Sequence, residues 1–209
     1  MTIPDPLRAG FERFRVSQFE SQRRVWRELA KGQKPHALVI GCADSRVDPA
    51  AIFDAGPGEL FIVRNVANLV PPYEPDSGHH GVSAALEFAV KTLGIEHVVV
   101  LGHKDCGGVH AAVTGAAEGT EFVHRWISPL QSALSESRHH CGYDAPTETL
   151  CNDLELRSVQ HSLDRLLKFP FVAKAVEAGT LTLHGARFGI ADGQLEWLER
   201  NEGFQPVSI

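Results

Sequence analysis

Three short runs of consecutive apolar residues limit how this chain can fold, and they lie at residues 37–40, 60–63 and 97–101. Unbroken apolar runs are typical of parallel strands buried on both faces, because half-exposed strands alternate apolar and polar residues. The segment 81–94, between the second and third runs, has a helical apolar face and ends at a glycine, Gly94. Strand, helix and strand at this spacing predict a right-handed βαβ unit.

The rest of the chain predicts further helices and a C-terminal hairpin. Predicted helices lie at about residues 106–117, 121–137, 148–168 and 170–179. The polar segment 135–147 lacks periodicity and is predicted to be a loop. A strand over 181–190 precedes the turn pair Asp192-Gly193, and a returning strand follows over 195–198. The predicted fold class is therefore α/β, with a Rossmann-like, mostly parallel β-sheet flanked by helices and a C-terminal β-hairpin.

Residues 1–34 differ from the rest of the chain in charge. They carry eight Lys and Arg but four Asp and Glu, whereas the whole chain has a net charge of −6. Apolar residues recur every three or four positions from Phe11 to Leu29, which indicates a helix with one apolar face. Such a helix can pack on its own domain, or it can be an arm that packs on an acidic partner chain. We therefore expect an N-terminal helical arm over 1–34 and a single α/β domain over 35–209.

Composition argues against several classes of protein. A chain of 209 residues, of which 43% are apolar, can bury one ordinary core. It has no apolar run near the ~18 residues that span a bilayer and no hydrophobic N-terminal signal segment, so we expect a cytoplasmic protein without a membrane partner. The acidic balance argues against a nucleic-acid partner. Four cysteines are then expected to be reduced thiols or metal ligands.

Two polar clusters directly follow apolar runs, at residues 41–46 (GCADSR) and 102–108 (GHKDCGG). Sites in parallel sheets form outside the carboxyl ends of the strands, so adjacent strands would bring the two clusters together. Cys42, His103 and Cys106 are a borderline-soft ligand set that suits tetrahedral Zn²⁺. Three protein ligands leave a fourth position open, which is the pattern of catalytic zinc sites.

The alternative is that these side chains belong to an ordinary core. A free cysteine behaves as a small hydrophobe and is usually simply buried, and a lone histidine is seldom a ligand. However, the charged triplet Asp44-Ser45-Arg46 is poor core material. A glycine begins each cluster, and Gly107-Gly108 end the second. The combination favours a zinc site with water or Asp44 at its fourth position.

The order and spacing of these motifs resemble those of the β-class carbonic anhydrases. The pattern C-x-D-S-R, beginning at Cys42, is followed about sixty residues later by H-x-x-C-G-G, beginning at His103. Residues 57–68 (PGELFIVRNVAN) and 81–90 (GVSAALEFAV) are also similar to segments of that family. The resemblance runs from about residue 8 to about residue 198 and covers most of the chain.

The resemblance implies reversible hydration of CO₂ to bicarbonate and a proton by hydroxide bound to one Zn²⁺ per chain. It implies that Cys42, His103 and Cys106 hold the zinc and that Asp44 and Arg46 form a dyad at the fourth coordination position. The residues it assigns to substrate binding are Gln33, Phe61, Val66, Phe88 and Gly107. It also implies a homodimer or a dimer of dimers, in which the N-terminal arm lies over the partner chain.

The resemblance further suggests how the site is regulated. Some members of the family bind a second, inhibitory bicarbonate through a Trp, an Arg and a Tyr. This chain has Val39, Arg64 and Phe188 at the matching positions, so two of the three polar groups are missing. Because bicarbonate needs several directed donors to leave water, we expect the type whose resting site is open, with Asp44 paired to Arg46.

Two rival functions would use the same residues. A hydrolase of carbonyl sulfide or carbon disulfide would differ only in its pocket and access, and a non-catalytic zinc or thiol module would not need Asp44-Ser45-Arg46. Four histidines are candidate proton shuttles, although ordinary surface histidines are the simpler interpretation, and they are His79, His80, His110 and His124. Residues 139–141 (HHC) with Cys151 could imitate a second metal site, but a polar loop is the favoured interpretation.

Overall fold

In the computed structural model, which describes residues 2–76 and 78–208, the three apolar runs lie in one β-sheet. Its strands are β1 (Ala37–Cys42), β2 (Leu60–Asn65), β3 (His97–His103), β4 (Thr182–Phe188), β5 (Leu195–Glu199) and β6 (Gly203–Pro206). Their spatial order is β2-β1-β3-β4-β5-β6. The first four strands pair in parallel, and β5 is antiparallel to both of its neighbours, β4 and β6. The predicted α/β fold with a mostly parallel sheet and a C-terminal hairpin is confirmed.

Helices lie on both faces of this sheet. They are α1 (Asp5–Phe14), α2 (Arg23–Leu29), α3 (Pro49–Ile52), α4 (Gly81–Glu87), α5 (Gly107–Thr114), α6 (Val123–Ile127), α7 (Leu130–Cys141), α8 (Thr147–Leu166) and α9 (Pro170–Glu177). A π-helical segment, Phe88–Leu93, extends α4 to a left-handed C-cap at Gly94, as predicted. No helix in the described residues is long and apolar enough to cross a membrane.

The core follows from the alternation of side chains along the central strands. Leu38 and Ile40 of β1 face one side of the sheet and pack with residues of α4, α8 and α9. Val39 faces the opposite side, where Ile52 of α3 packs against its cluster. β1 is buried throughout and lies between β2 and β3. The connection from β2 through α4 to β3 therefore crosses over β1, and this places the ends of β1 and β3 side by side.

The prediction of a loop over 135–147 was wrong for residues 135–141. α7 continues to Cys141 and ends at Gly142, whose φ of 101° no helix allows. The segment looks polar because most of its side chains face solvent. Ser137 within it and Ala133, one turn earlier, are buried where α7 packs against α8. The helix predicted over 121–137 is divided at Pro129, which has no amide hydrogen to continue α6.

The N-terminal arm is helical, as expected. α1 and α2 are joined by a π-helical segment, Arg15–Phe19, and the side chains of Phe14, Phe19 and Trp26 form an aromatic cluster with ring centroids 5.7–6.1 Å apart. Other apolar side chains of the arm face away from the chain, and Phe11 is 57% and Val16 76% exposed.

Candidate active site and metal centre

The two polar clusters meet at the carboxyl edge of the sheet. β1 ends at Cys42 and β3 ends at His103, and these parallel strands are adjacent. Together with Cys106, they place two sulfur atoms and one ring nitrogen within 4.8 Å of one another. All three side chains are buried. The expected meeting of the two clusters is thus found.

A backbone turn after β3 directs Cys106 to the same point as His103. Asp105 has a φ of 58°, a left-handed conformation that turns the chain between His103 and Cys106. The Nδ1 atom of His103 lies 2.9 Å from the carbonyl oxygen of Lys104. A carbonyl oxygen can only accept, so Nδ1 carries the proton and the lone pair lies on Nε2. This Nε2 atom is buried and has no hydrogen-bond partner among the described residues.

The protonation of the two buried thiols also favours a cation. The neighbouring thiol of Cys106 lowers the pKa of Cys42, although burial opposes this effect. The Cys42 sulfur and burial both raise the pKa of Cys106. The pair therefore favours one thiolate over two, because a second negative charge would be buried beside the first. A divalent cation between the sulfur atoms would compensate both charges, so the two thiols and the unpartnered nitrogen fit Zn²⁺.

Asp44 and Arg46 form the paired dyad that the sequence predicted. Arg46 donates from Nε to Oδ1 of Asp44 at 3.0 Å and from Nη2 to Oδ2 at 2.7 Å, and its amide donates to Oδ1 at 2.9 Å. Nη2 also donates to the carbonyl oxygen of Asp105 at 3.1 Å, which ties the two clusters together. The side-chain and backbone hydrogen bonds from Arg46 hold the pKa of Asp44 well below its ordinary value.

Arg64 hydrogen-bonds to the backbone segment that carries Asp44. Its guanidinium donates to the carbonyl oxygen of Cys42 at 2.8 Å and to that of Asp44 at 2.6 Å. The two residues grouped with it in the sequence lie elsewhere in the sheet: Val39 is buried inside β1, and Phe188 ends β4. Arg64 therefore already has two partners in its own chain, and we expect it to position the Cys42–Asp44 segment.

A buried acid contacts the backbone of the candidate metal centre. Glu155 of α8 accepts a hydrogen bond from the amide of Cys106 at 3.2 Å. Its other oxygen lies 3.4 Å from Nη1 of Arg187, and both side chains are at most 5% exposed. Arg187 also pairs with Glu196 of β5 at 2.7 Å. Burial raises the pKa of Glu155, while the Cys106 amide and Arg187 oppose this.

Two of the expected substrate residues are in contact. The rings of Phe61 on β2 and Phe88 after α4 lie 5.9 Å apart between centroids. Phe88 is 43% exposed, so this aromatic pair presents an apolar surface. Gln33 is exposed in the segment between α2 and β1, and its amide makes no hydrogen bond within the described part of the chain. The structure thus brings the two rings together but does not tie Gln33 to them.

The other two expected residues lie near the candidate metal centre. Gly107 directly follows Cys106 and begins α5. Val66 is 38% exposed, and it packs so close to α5 that a Cβ atom on Gly108 would come within 2.9 Å of its side chain. Gly107 and His110 line a cavity of about 990 Å³ that reaches Cys106. Whether these residues touch substrate stays a prediction, as do the proton-shuttle histidines.

Comparisons with known proteins agree with this geometry. A family model described as carbonic anhydrase matches residues 37–195. Beta carbonic anhydrase 5, chloroplastic, of Arabidopsis thaliana is 39% identical over 194 residues, which are 92% of this chain. The chain belongs to the β-class carbonic anhydrases. It spans 64% of the length of that Arabidopsis relative.

Solved structures of β-carbonic anhydrases share the fold. The enzyme CcaA superposes with a TM-score of 0.89 at 28% identity, and the match covers 98% of both chains. A structure from a study of two tetrameric β-carbonic anhydrases of Sordaria macrospora gives a TM-score of 0.82 at 26% identity, covering 92% of this chain and 94% of that one. The CcaA match includes most of the N-terminal arm, because it covers 98% of this chain.

Sequence reasoning missed the residues that support the site of this β-carbonic anhydrase. It did not single out Glu155, although an acid among the apolar positions of a helix is a signal that it needs a buried partner. It grouped Arg64 only with the missing bicarbonate site. Arg187 lies inside β4, and an arginine within a strand of the central sheet carries the same signal.

Proposed function

We propose that this chain catalyses the reversible hydration of CO₂ to bicarbonate and a proton, with one Zn²⁺ held by Cys42, His103 and Cys106. The observation that carries the proposal is the buried, unpartnered Nε2 of His103 beside two thiols, next to a carboxylate that Arg46 fixes in place. Membership of the β-class carbonic anhydrases, a family of enzymes, supports it.

The ligand set determines how strongly the metal acts. When bound, Zn²⁺ lowers the pKa of a water molecule and so supplies a hydroxide nucleophile near neutral pH. Cys42 and Cys106 as thiolates would cancel the charge of the ion, whereas neutral imidazoles leave it in place. We therefore expect the pKa of this water to lie above the ~7 of a site with three histidines.

Asp44 orients the attacking group. It is ionised at neutral pH, with its pKa held low by Arg46, and its lone pairs that Arg46 leaves free can accept a hydrogen bond from the nucleophile. Such a contact would direct the nucleophile at CO₂. Both Asp44 oxygens are bound by Arg46, which supports our proposal that the resting site is open and that the carboxylate does not take the fourth position.

The substrate side of the proposed site is apolar. CO₂ carries no charge, so the surface of Phe61, Phe88 and Val66 suits it. Bicarbonate needs a polar contact, which we assign to the amide of Gln33. Gly107 has no side chain, and apart from its chain neighbours and its own helix no described residue lies within 4 Å of the place where a Cβ would be, so a small ligand can approach its backbone.

Hydration of CO₂ should require zinc and should speed up as pH rises. The reason is that the nucleophile forms when a water loses its proton, so the active fraction grows with pH. Stopped-flow hydration from about pH 6 to pH 9, the span around a zinc-water pKa near 7, measures this on protein of known zinc content. A flat profile, or full activity after chelation of the zinc, contradicts the proposal.

The same assay separates the rival hydrolase function. An enzyme that acts on carbonyl sulfide or carbon disulfide would release sulfide from those substrates while hydrating CO₂ slowly. We expect the reverse order of rates. A protein that holds stoichiometric zinc but turns over none of these substrates would be the non-catalytic module.

We also propose that the arm, residues 1–34, packs on a second copy of this chain in a homodimer or a dimer of dimers. Exposed apolar side chains of the arm support this, since Leu7, Phe11 and Val16 are each more than half exposed in one chain. The positive charge of the arm complements the acidic remainder. The cytoplasmic location expected from the sequence stays a prediction, and the name of the Arabidopsis relative places that protein in the chloroplast.

Replacing Phe11 with aspartate should reduce the mass of the assembly in solution. A charge on the face that meets the partner costs free energy, because it must be buried or the contact must open. Light scattering coupled to gel filtration measures the mass. The matched control is Tyr143→Asp, because Tyr143 is 72% exposed and lies outside the arm. If Phe11→Asp leaves the mass unchanged, the arm packs on its own chain and the proposed contact with a second copy is wrong.

A further inference from the structure

A second group of potential metal ligands lies where α7 ends against α8, outside the site described above. His140 and Cys141 are the last two residues of α7, and Asp153 is on α8. Nδ1 of His140 lies 3.0 Å from Oδ1 of Asp153 and 3.8 Å from Sγ of Cys141. The three ligand atoms lie within 4.8 Å of one another.

The two distances from Nδ1 of His140 match those between atoms that share one ion. Zinc binds nitrogen and carboxylate oxygen at about 2.0–2.2 Å and sulfur at about 2.3 Å, so two of its ligand atoms lie roughly 3–4 Å apart. One imidazole, one thiol and one carboxylate form a borderline-soft set, which suits Zn²⁺ and Co²⁺ better than Mg²⁺ or Ca²⁺. The types of ligand atom therefore favour Zn²⁺ or Co²⁺, and their positions define where the ion would bind.

Neighbouring side chains fix the orientation of the Asp153 carboxylate. Arg157 donates from Nε to Oδ2 of Asp153, which fixes the carboxylate and leaves Oδ1 directed at His140. The charge of Arg157 is itself partly offset by Glu136, 3.4 Å away. The group also lies at the C-terminal end of a twelve-residue helix, where the helix dipole favours a cation.

The group is accessible from solvent. The side chain of His140 is 67% exposed and that of Asp153 is 17% exposed. An ion can therefore enter from the His140 side, and water can complete its coordination. A surface ion pair accounts for the placement of His140, Asp153 and Arg157, and Cys141 packs against the core cluster that includes Leu134 and Leu150. A metal ion accounts in addition for the Cys141 sulfur lying 3.8 Å from Nδ1 of His140.

We propose that His140, Cys141 and Asp153 bind a second divalent cation, Zn²⁺ or Co²⁺, more weakly than the buried centre does. This group differs from the one considered in the sequence analysis, because it contains Asp153 and does not contain His139 or Cys151. The helical extension of α7 to Cys141 brings this about. The proposal does not depend on the proposed enzymatic activity, because it rests on a separate set of side chains.

Titration of the zinc-loaded protein with Co²⁺ tests the proposal. We expect one additional ion per chain, measured by calorimetry, together with the near-ultraviolet absorption band of a thiolate bound to cobalt. Cys141→Ser should remove the band, and Cys141→Ser and His140→Ala should each weaken binding at least ~10-fold, since even the outer partners of metal ligands are worth about 10- to 100-fold. Zinc content measured before and after titration reports any exchange at the buried centre.

Two variants serve as matched controls. His139→Ala removes the neighbouring exposed imidazole, and Cys151→Ser removes a nearby thiol that lies outside the group. Both should bind Co²⁺ as the unmodified protein does. Absence of an additional ion overturns the proposal, and so does a band that survives Cys141→Ser with the zinc retained. Loss of the band in Cys151→Ser would show that Cys151, and not Cys141, binds the cobalt, and that result would also overturn the proposal.

Discussion

Replacing Cys106 with serine is expected to remove both the bound zinc and the hydration of CO₂. Cys106 is buried, and a neutral hydroxyl is a far poorer zinc ligand than a thiolate. Only Cys42 and His103 would remain as good ligands. Because even the outer partners of metal ligands are worth about 10- to 100-fold in affinity or activity, we expect loss of a direct ligand to cost more than that.

Zinc content by elemental analysis and stopped-flow hydration measure the two effects, and circular dichroism confirms that the variant is folded. Cys151→Ser is the matched control, because Cys151 is a half-buried thiol outside the Cys42 group. It should keep its zinc and its activity. A folded Cys106→Ser protein with one zinc per chain and normal turnover would show that the ligand assignment is wrong.

Much of this site could be predicted because its parts are local in sequence. An unbroken apolar run such as 97–101 fits little except a buried strand, and polar residues directly after it must lie at the edge of the sheet. Cys42 and His103 each end such a strand. Asp44 and Arg46 are two residues apart, so their pairing needed no knowledge of the rest of the fold.

The parts that could not be predicted depend on contacts between distant segments. Glu155 and Arg187 are 32 residues apart, and only the packing of α8 against β4 brings them together behind Cys106. The extension of α7 to Cys141 also depends on α8, since the periodicity of 135–141 is too weak to predict a helix alone. β6 was missed for the same reason, because a short edge strand is defined by its neighbour, β5.

Replacing Arg46 with alanine is expected to leave zinc bound but to remove most of the activity. Arg46 is not among the metal ligands, so the affinity for zinc should change little. Asp44 would lose both hydrogen bonds from the guanidinium and keep only the one from the backbone amide. A carboxylate that is free to turn can no longer orient the nucleophile and can approach the metal position. A misplacement of about 1 Å can cost about 10²-fold in rate, and we expect a fall in kcat of that order.

The pH dependence of the Arg46→Ala variant separates loss of position from loss of charge. Arg46 holds the pKa of Asp44 below its ordinary value, so the substitution lets that pKa rise toward about 3.9. Asp44 would still be ionised at neutral pH, so a loss of rate at pH 7–9 must come from its position. Arg46→Lys restores the positive charge but not the paired geometry, and we expect it to recover only part of the rate. Full recovery with lysine would mean that charge alone matters, and normal activity in Arg46→Ala would show that Arg46 is not needed to hold Asp44 in position.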